Sequence, residues 1–355
     1  MENVIRVRDV DPKILYGPYS HGLARAVTSQ YLDNGAMYIG IHVAPSDLRD
    51  FYLTAIVDET SPNQNDYQQK LMVQGGTQYG CSARQCSFCV FSGLRYYRNL
   101  NLEEIVDLFR LALFLHKKIH PHEKDNRELV LKFTDNGEPL ETPILPEVLD
   151  RLLTLFGCDG KVLRLKISTI FRDTQVTRQT FQKVREWQEQ HRESASIHLQ
   201  ISRPPYGRKL IPAEEVCKMI RVWMKANPQD RICIAPGLVR GYNQEEFMAF
   251  CVALKPLAKS RCFFRLSIIK PSTERQKMQI LPYKEMKKIK TMLGGKKGMG
   301  FKVKSLPQKL RYTKQLEGAG TLSHMPDGKF YDPATYRVWK YASEAVDPND
   351  PISQP

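Results

Sequence analysis

The sequence predicts an α/β fold: an incomplete (β/α)6 barrel with a small β-containing N-terminal extension and a basic C-terminal extension, divided at 1–70, 71–305 and 306–355. Two observations carry this reading. From Asn101 onward, segments with apolar residues at helical spacing alternate strictly with short apolar runs of strand length. That alternation is what a parallel sheet with helical crossovers requires, and five or six such units after a first strand stop short of a full eightfold barrel. The length, 355 residues with 42% hydrophobic content, is ample for one large core.

The elements follow in order. In the leader, Ala36–Val43 and Phe51–Val57 read as strands and Ser61–Asp66 as a loop. Asn101 is placed to N-cap a helix, with Glu103 and Glu104 in its first turn. Ile105, Leu108, Leu111 and Leu115 give that helix one apolar face, ending near Ile119. Strands are then expected over Glu128–Phe133, Val162–Ser168, Ser196–Ser202, Arg231–Ala235, Phe263–Ile269 and Phe301–Ser305. Helices are expected between them, over Leu145–Phe156, Val176–His191, Pro212–Asn227, Gln244–Leu254 and Tyr283–Met292.

Charge is unevenly spread. The formal net charge is +15, and eleven Lys or Arg against one acid lie between Lys284 and Lys314. Beyond Gln315 the sign reverses. A basic stripe of this kind, with Lys287, Lys288, Lys290, Lys296, Lys297, Lys302 and Lys304 at its centre, suits RNA or another polyanion. The plainer alternative is a solvated helix face beside a basic hairpin. The N-terminus lacks the apolar core of a signal peptide, and no apolar run is long enough to cross a bilayer. Cys158, Cys217, Cys233, Cys251 and Cys262 sit in apolar surroundings, as buried reduced thiols of a cytoplasmic protein with no membrane partner do.

The remaining cysteines carry the chemistry. Cys81, Cys86 and Cys89 are spaced C-x4-C-x2-C. Three thiolates can ligate three irons of a [4Fe–4S] cluster and leave the fourth iron open, where a closed electron-transfer centre uses four. An open iron takes an exogenous chelate, and the amine and carboxylate of S-adenosyl-L-methionine are the familiar partners. A structural zinc site is the competing reading, but it wants a fourth Cys or His at matched spacing; a disulfide would need an oxidising compartment. Residues at the expected strand ends are candidates to hold the cofactor. Gly137, Glu138 and Pro139 form a turn after the second strand, with a glycine that permits close backbone approach. Ser168 and Ser202 end the third and fourth strands, and Asn243 stands at a helix start, where capping and ligand contact are compatible.

Taken in order, the motifs resemble a known family. Gln78–Cys81, Arg98–Leu100, Gly137–Leu140, Ile167–Thr169, Leu199–Ser202, Arg208–Pro212 and Gly241–Asn243 are similar to successive motifs of the RlmN/Cfr group of radical S-adenosylmethionine enzymes, which methylate adenosine in ribosomal RNA. The resemblance runs from about Leu71 to about Ser305. It implies a radical-SAM partial barrel, a [4Fe–4S] cluster on the three cysteines, bound S-adenosyl-L-methionine, and a reducing partner such as flavodoxin or ferredoxin. The chain also departs from the family. The family's loop is C-x3-C-x2-C, one residue shorter than this one. Its two methyl-transfer cysteines fall here on Gln74 and, by ungapped placement, Gln315, and no cysteine follows Cys262. The family's N-terminal RNA-binding domain has no recognisable counterpart in 1–70.

The expectation is therefore a radical enzyme that modifies RNA or a nucleotide by direct hydrogen abstraction, without methyl transfer through cysteine. Alternatives are a peptide or small-metabolite substrate, an RNA adenosine methyltransferase with a substitute residue, and a non-enzymatic RNA-binding relative. Cys262 is the first candidate for a substitute thiol, on a strand expected to run toward the barrel rim.

Overall fold

The computed structural model describes residues 24–31, 37–43, 53–58, 70–83, 86, 96–119, 128–134, 137–157, 161–202, 210–228, 230–266, 281–295, 298–304 and three short strands between 323 and 339. Strands β1 (Ala24–Tyr31), β2 (Met37–Val43) and β3 (Leu53–Asp58) form an antiparallel meander that joins the edge of β4 (Lys70–Gly75). A short antiparallel ribbon follows, β5 (Gln78–Tyr79) against β6 (Arg98–Asn99). Then come α1 (Leu102–Ile119), β7 (Glu128–Phe133), α2 (Leu145–Phe156), β8 (Leu163–Thr169), α3 (Gln175–Gln190), β9 (Ala195–Ile201) and α4 (Ala213–Ala226). The series ends with β10 (Ile232–Ile234), α5 (Gln244–Leu254), β11 (Cys262–Arg265), α6 (Tyr283–Gly294) and β12 (Lys302–Lys304). Three further strands, β13 (Ser323–His324), β14 (Phe330–Asp332) and β15 (Arg337–Trp339), make a separate antiparallel sheet.

The fold class is α/β. One ten-stranded sheet has the order β1-β2-β3-β4-β7-β8-β9-β10-β11-β12, and from β4 to β12 its seven strands run parallel. Among the described residues the sheet does not close into a barrel; β1 and β12 are its edges. The leader strands extend this same sheet, and β1 was not expected. The last long strand is shorter than expected, Cys262–Arg265, and 267–280 lie outside the described residues.

The helices bury one face of the sheet. Alternate strand residues, Leu131 and Phe133, Leu163, Leu165 and Ile167, then Ala195, Ile197, Leu199 and Ile201, join the helices in a single core. In α1 that core takes Ile105, Val106, Leu108, Phe109 and Ala112, each buried side chain of Leu, Ile or Phe size contributing about 1.5–3 kcal/mol. The helix starts as its sequence dictates. Glu104 N donates to Asn101 Oδ1 and Asn101 N donates to Glu104 Oε2, both at 2.9 Å, a reciprocal cap. Cys262 belongs to this helix-side core, 1% exposed at the start of β11. Its strand does run toward the C-terminal edge, but the alternation of β11 turns Cys262 itself to the helix side, and burial pushes its thiol up to about 12.

Candidate functional site

The loops that follow the parallel strands converge at the C-terminal edge of the sheet, and the cysteine loop is fastened among them by one residue. Gln78 is fully buried. Its Nε2 donates to Asn99 Oδ1 (2.9 Å), closing the β5–β6 ribbon from which the loop springs. Its Oε1 accepts from Ser82 N (3.0 Å) and Ser82 Oγ (3.1 Å) within that loop, and from Glu138 N (3.1 Å) in the turn after β7. Beyond the ribbon, Arg98 pairs with Glu104 through two contacts of 2.7 and 2.8 Å and lies over the Tyr79 ring at 4.4 Å. The loop's base is thus anchored to α1 as well as to the sheet.

Cys81 and Cys86 are buried together with Ala83 and Ile170 in a small cluster separate from the main core. Cys89 lies outside the described residues. Among the described residues no three His, Cys, Asp or Glu are gathered as a metal site. For a three-thiolate set the donors present are of the right kind: two thiols share one pocket at the strand ends, within a loop held by hydrogen bonds.

The Gly137–Pro139 turn is built for close approach. Gly137 has φ +113°, and a Cβ there would stand 2.8 Å from Gln78 Cβ and Cγ and 2.9 Å from Thr77 Oγ1. Glu138 is buried behind it. Its carboxylate accepts from the Thr169 hydroxyl, from Ile170 N at 2.9 Å and from Leu140 N at 3.3 Å, bridging the ends of β7 and β8. Pro139 opens a single 3-10 turn, Pro139–Glu141. Glu141 then pairs with Arg172 at 2.6 Å and accepts from the Ser82 hydroxyl, and Arg172 also donates to Ser82 O at 2.8 Å. Glu141 and Arg172 were not singled out from sequence, and Gln78 and Thr169 were named only as the ends of motifs, without these bonding roles. A buried Gln or an ion pair reads as ordinary turn chemistry until the fold brings the turns together.

Ser168 Oγ is buried with no hydrogen-bond partner, as are Thr77 Oγ1 and Gln200 Oε1. All three lie at C-terminal strand ends, and such groups are costly to bury unless something completes them. Ser202 sits just past β9; its N donates to Thr169 O (2.7 Å) and its Oγ accepts from Gln200 Nε2 (2.9 Å). Asn243 caps α5, accepting from Glu246 N at 3.1 Å, as its position in the sequence predicts. Gln74 accepts from Lys132 Nζ at 2.8 Å.

The basic stripe is described in part. Lys287, Lys288 and Lys290 are exposed on α6, whose Met286, Ile289 and Leu293 face the core, and Lys302 is exposed on β12. Lys296, Lys297 and the side chain of Lys304 lie outside the described residues. No described helix is long and apolar enough to cross a membrane.

Burial pushes the Glu138 carboxyl from 4.5 up to about 7; the nearby Glu141 charge adds to this, while the hydrogen bonds from Thr169, Ile170 and Leu140 oppose it. The folded chain therefore keeps a proton here that the unfolded chain releases near 4.5. Between those values the folded state binds more protons, and stability falls as pH rises, by about 3 kcal/mol in all from this group. Glu138→Gln cannot lose a proton. Its stability relative to wild type is expected to rise by up to that amount between pH 5 and pH 8, measured by urea denaturation. Parallel pH profiles would remove the shift.

No protein-family model and no curated protein matches the chain.

Proposed function

We propose that the chain is a radical S-adenosylmethionine enzyme whose parallel sheet is a partial barrel, acting on RNA or a nucleotide without cysteine-mediated methyl transfer. The observation that carries the reading is the tie made by Gln78, which fastens the Cys81–Cys86 loop to the Gly137–Glu138 turn at the C-terminal edge of the sheet. Cys81, Cys86 and Cys89 would hold a [4Fe–4S] cluster. Bound there with S-adenosyl-L-methionine and an external electron donor, it supplies a 5′-deoxyadenosyl radical able to take hydrogen from a substrate.

The protein's own residues have definable tasks in this reading. Gly137, having no Cβ, lets Gln78 and Thr77 pack directly against the turn, and Glu138 keeps that turn and the end of β8 in fixed register. Thr77, Ser168 and Gln200 offer unsatisfied hydrogen-bonding atoms to a bound cofactor. Gln74, held by Lys132, gives no nucleophilic sulfur where the family has a thiol. A second reading, methylation through a substitute thiol, rests on Cys233 rather than Cys262. Cys233 is buried opposite Gln200 in the sheet register, and its neighbours Ile232 and Ile234 take the helix side.

Anaerobic reconstitution tests the proposal. About four irons per chain and reductive release of 5′-deoxyadenosine are expected, with no methyl-cysteine in a tryptic digest. Stoichiometric zinc without iron would overturn the cluster. Methyl-cysteine at Cys233 would favour the second reading.

A further inference from the structure

The face of the sheet that the helices leave uncovered is cationic, and its side chains lie in rows. Parallel register aligns Gln74 with Lys132, Lys132 with Lys166, and Lys166 with His198. One step toward the C-terminal edge, Ser168, Gln200, Cys233, Phe263 and Lys302 form the next row. Arg265, two residues past Phe263 on the same face, adds a positive charge one step further toward the C-terminal edge. His198 and Phe263 meet across β10 with ring centroids 6.2 Å apart, which marks the face as concave.

Four acids lie on or near this face, and Asp58 of β3 stands opposite Met72 in the layer below the two rows. Glu128, at the opposite end of β7, is held by Arg164 at 2.6 Å. Asp230 accepts from Ser196 Oγ at 2.6 Å in the same lower layer. Glu138 is turned into the bond network with Thr169 and Ile170. Among the described residues no carboxylate occupies either upper row. Like charges held together in a partly buried concavity repel, and the arrangement persists where an anion compensates it. Its effect is visible on Lys166, whose amine is pushed down to about 7 by burial first and then by Lys132 and Arg265.

We infer that this concave face is a binding site for a phosphate group, received by Lys166 with Lys132 next to it in register and Arg265 toward the C-terminal edge. Three cations match a phosphate dianion better than a single carboxylate, and Lys166 takes up a proton as the anion arrives. That the phosphate belongs to the enzyme's substrate rests on the radical reading above; the anion site itself does not.

The test needs no iron. Binding of adenosine 5′-monophosphate, inorganic pyrophosphate and adenosine to the purified chain is measured by calorimetry. The two phosphates should bind and adenosine should not, and adenosine monophosphate binding more tightly than pyrophosphate identifies a nucleoside phosphate rather than free phosphate. Lys166→Met should weaken binding at least about tenfold, the scale of one charge-assisted contact. Arg265→Gln, at an exposed position, should weaken it in the same direction and guards against a folding defect in the first variant. A second readout follows the amine. Near neutral pH, trinitrobenzenesulfonate should modify Lys166 readily, mapped by peptide mass spectrometry, and bound phosphate should protect it while exposed Lys183 reacts unchanged. Equal binding of adenosine, unaltered affinity in both variants, or no protection of Lys166 would overturn the site. Phosphate binding in a chain that takes up no iron would leave the site standing and remove the radical reading. Cofactor cleavage in a chain that binds no phosphate would do the reverse.

Discussion

Replacing both Cys81 and Cys86 by alanine is expected to reduce reconstituted iron from about four per chain to near zero and to abolish S-adenosyl-L-methionine cleavage. The two thiols share a pocket with Ala83 and Ile170, apart from the main core. Alanine there removes the ligands while costing only about 1 kcal/mol of packing per site. The informative control is Cys262→Ala. Cys262 is 1% exposed among the helix-facing residues, and burial keeps it a neutral thiol, which is a poor metal ligand. That variant should also lose about 1 kcal/mol or more of stability, yet keep its iron. Iron analysis beside urea denaturation separates the outcomes. Iron retained in the double variant would show that the ligands lie elsewhere.

The contrast between these cysteines shows what the sequence makes legible. Spacing places Cys81 and Cys86 together because only a few residues separate them. Cys262 and Cys233 differ by the side of the sheet they face, and in strands of three or four residues with apolar neighbours throughout no alternation reveals it. The helices were readable for the opposite reason. Each of α1 to α5 carries a cap or an apolar period that local physics fixes, as the reciprocal Asn101–Glu104 bonds show. Strand β1 was not readable, since its place depends on pairing with β2 rather than on its own pattern. The same limit hid the site's scaffold. Gln78 meets Glu138 across 60 residues, and Arg172 meets Ser82 across 90. Lys132 and Lys166 stand on separate strands, and only the parallel register sets them next to each other.

Gly137→Ala is expected to destabilise the fold by about 2–6 kcal/mol, although it adds a single carbon atom. Two penalties combine. At φ +113° an L side chain is strained by about 1–3 kcal/mol. The new Cβ would also stand 2.8 Å from two carbons of Gln78 and 2.9 Å from Thr77 Oγ1, and relieving such overpacking costs about 1–3 kcal/mol more. Relief can come only by moving the turn or Gln78, and Gln78 holds Ser82, Glu138 and Asn99 at once. The damage therefore reaches the cysteine loop, and iron uptake should fall along with stability. Gly241→Ala isolates the backbone term, because Gly241 also has a positive φ, +74°, but nothing lies within 4 Å of its missing Cβ. Urea denaturation should show a loss of about 1 kcal/mol at Gly241 against about 2–6 kcal/mol at Gly137. Equal losses would mean that Gln78 yields without cost. The turn would then be positioned by Glu138 alone, through its bonds to Thr169 and Ile170.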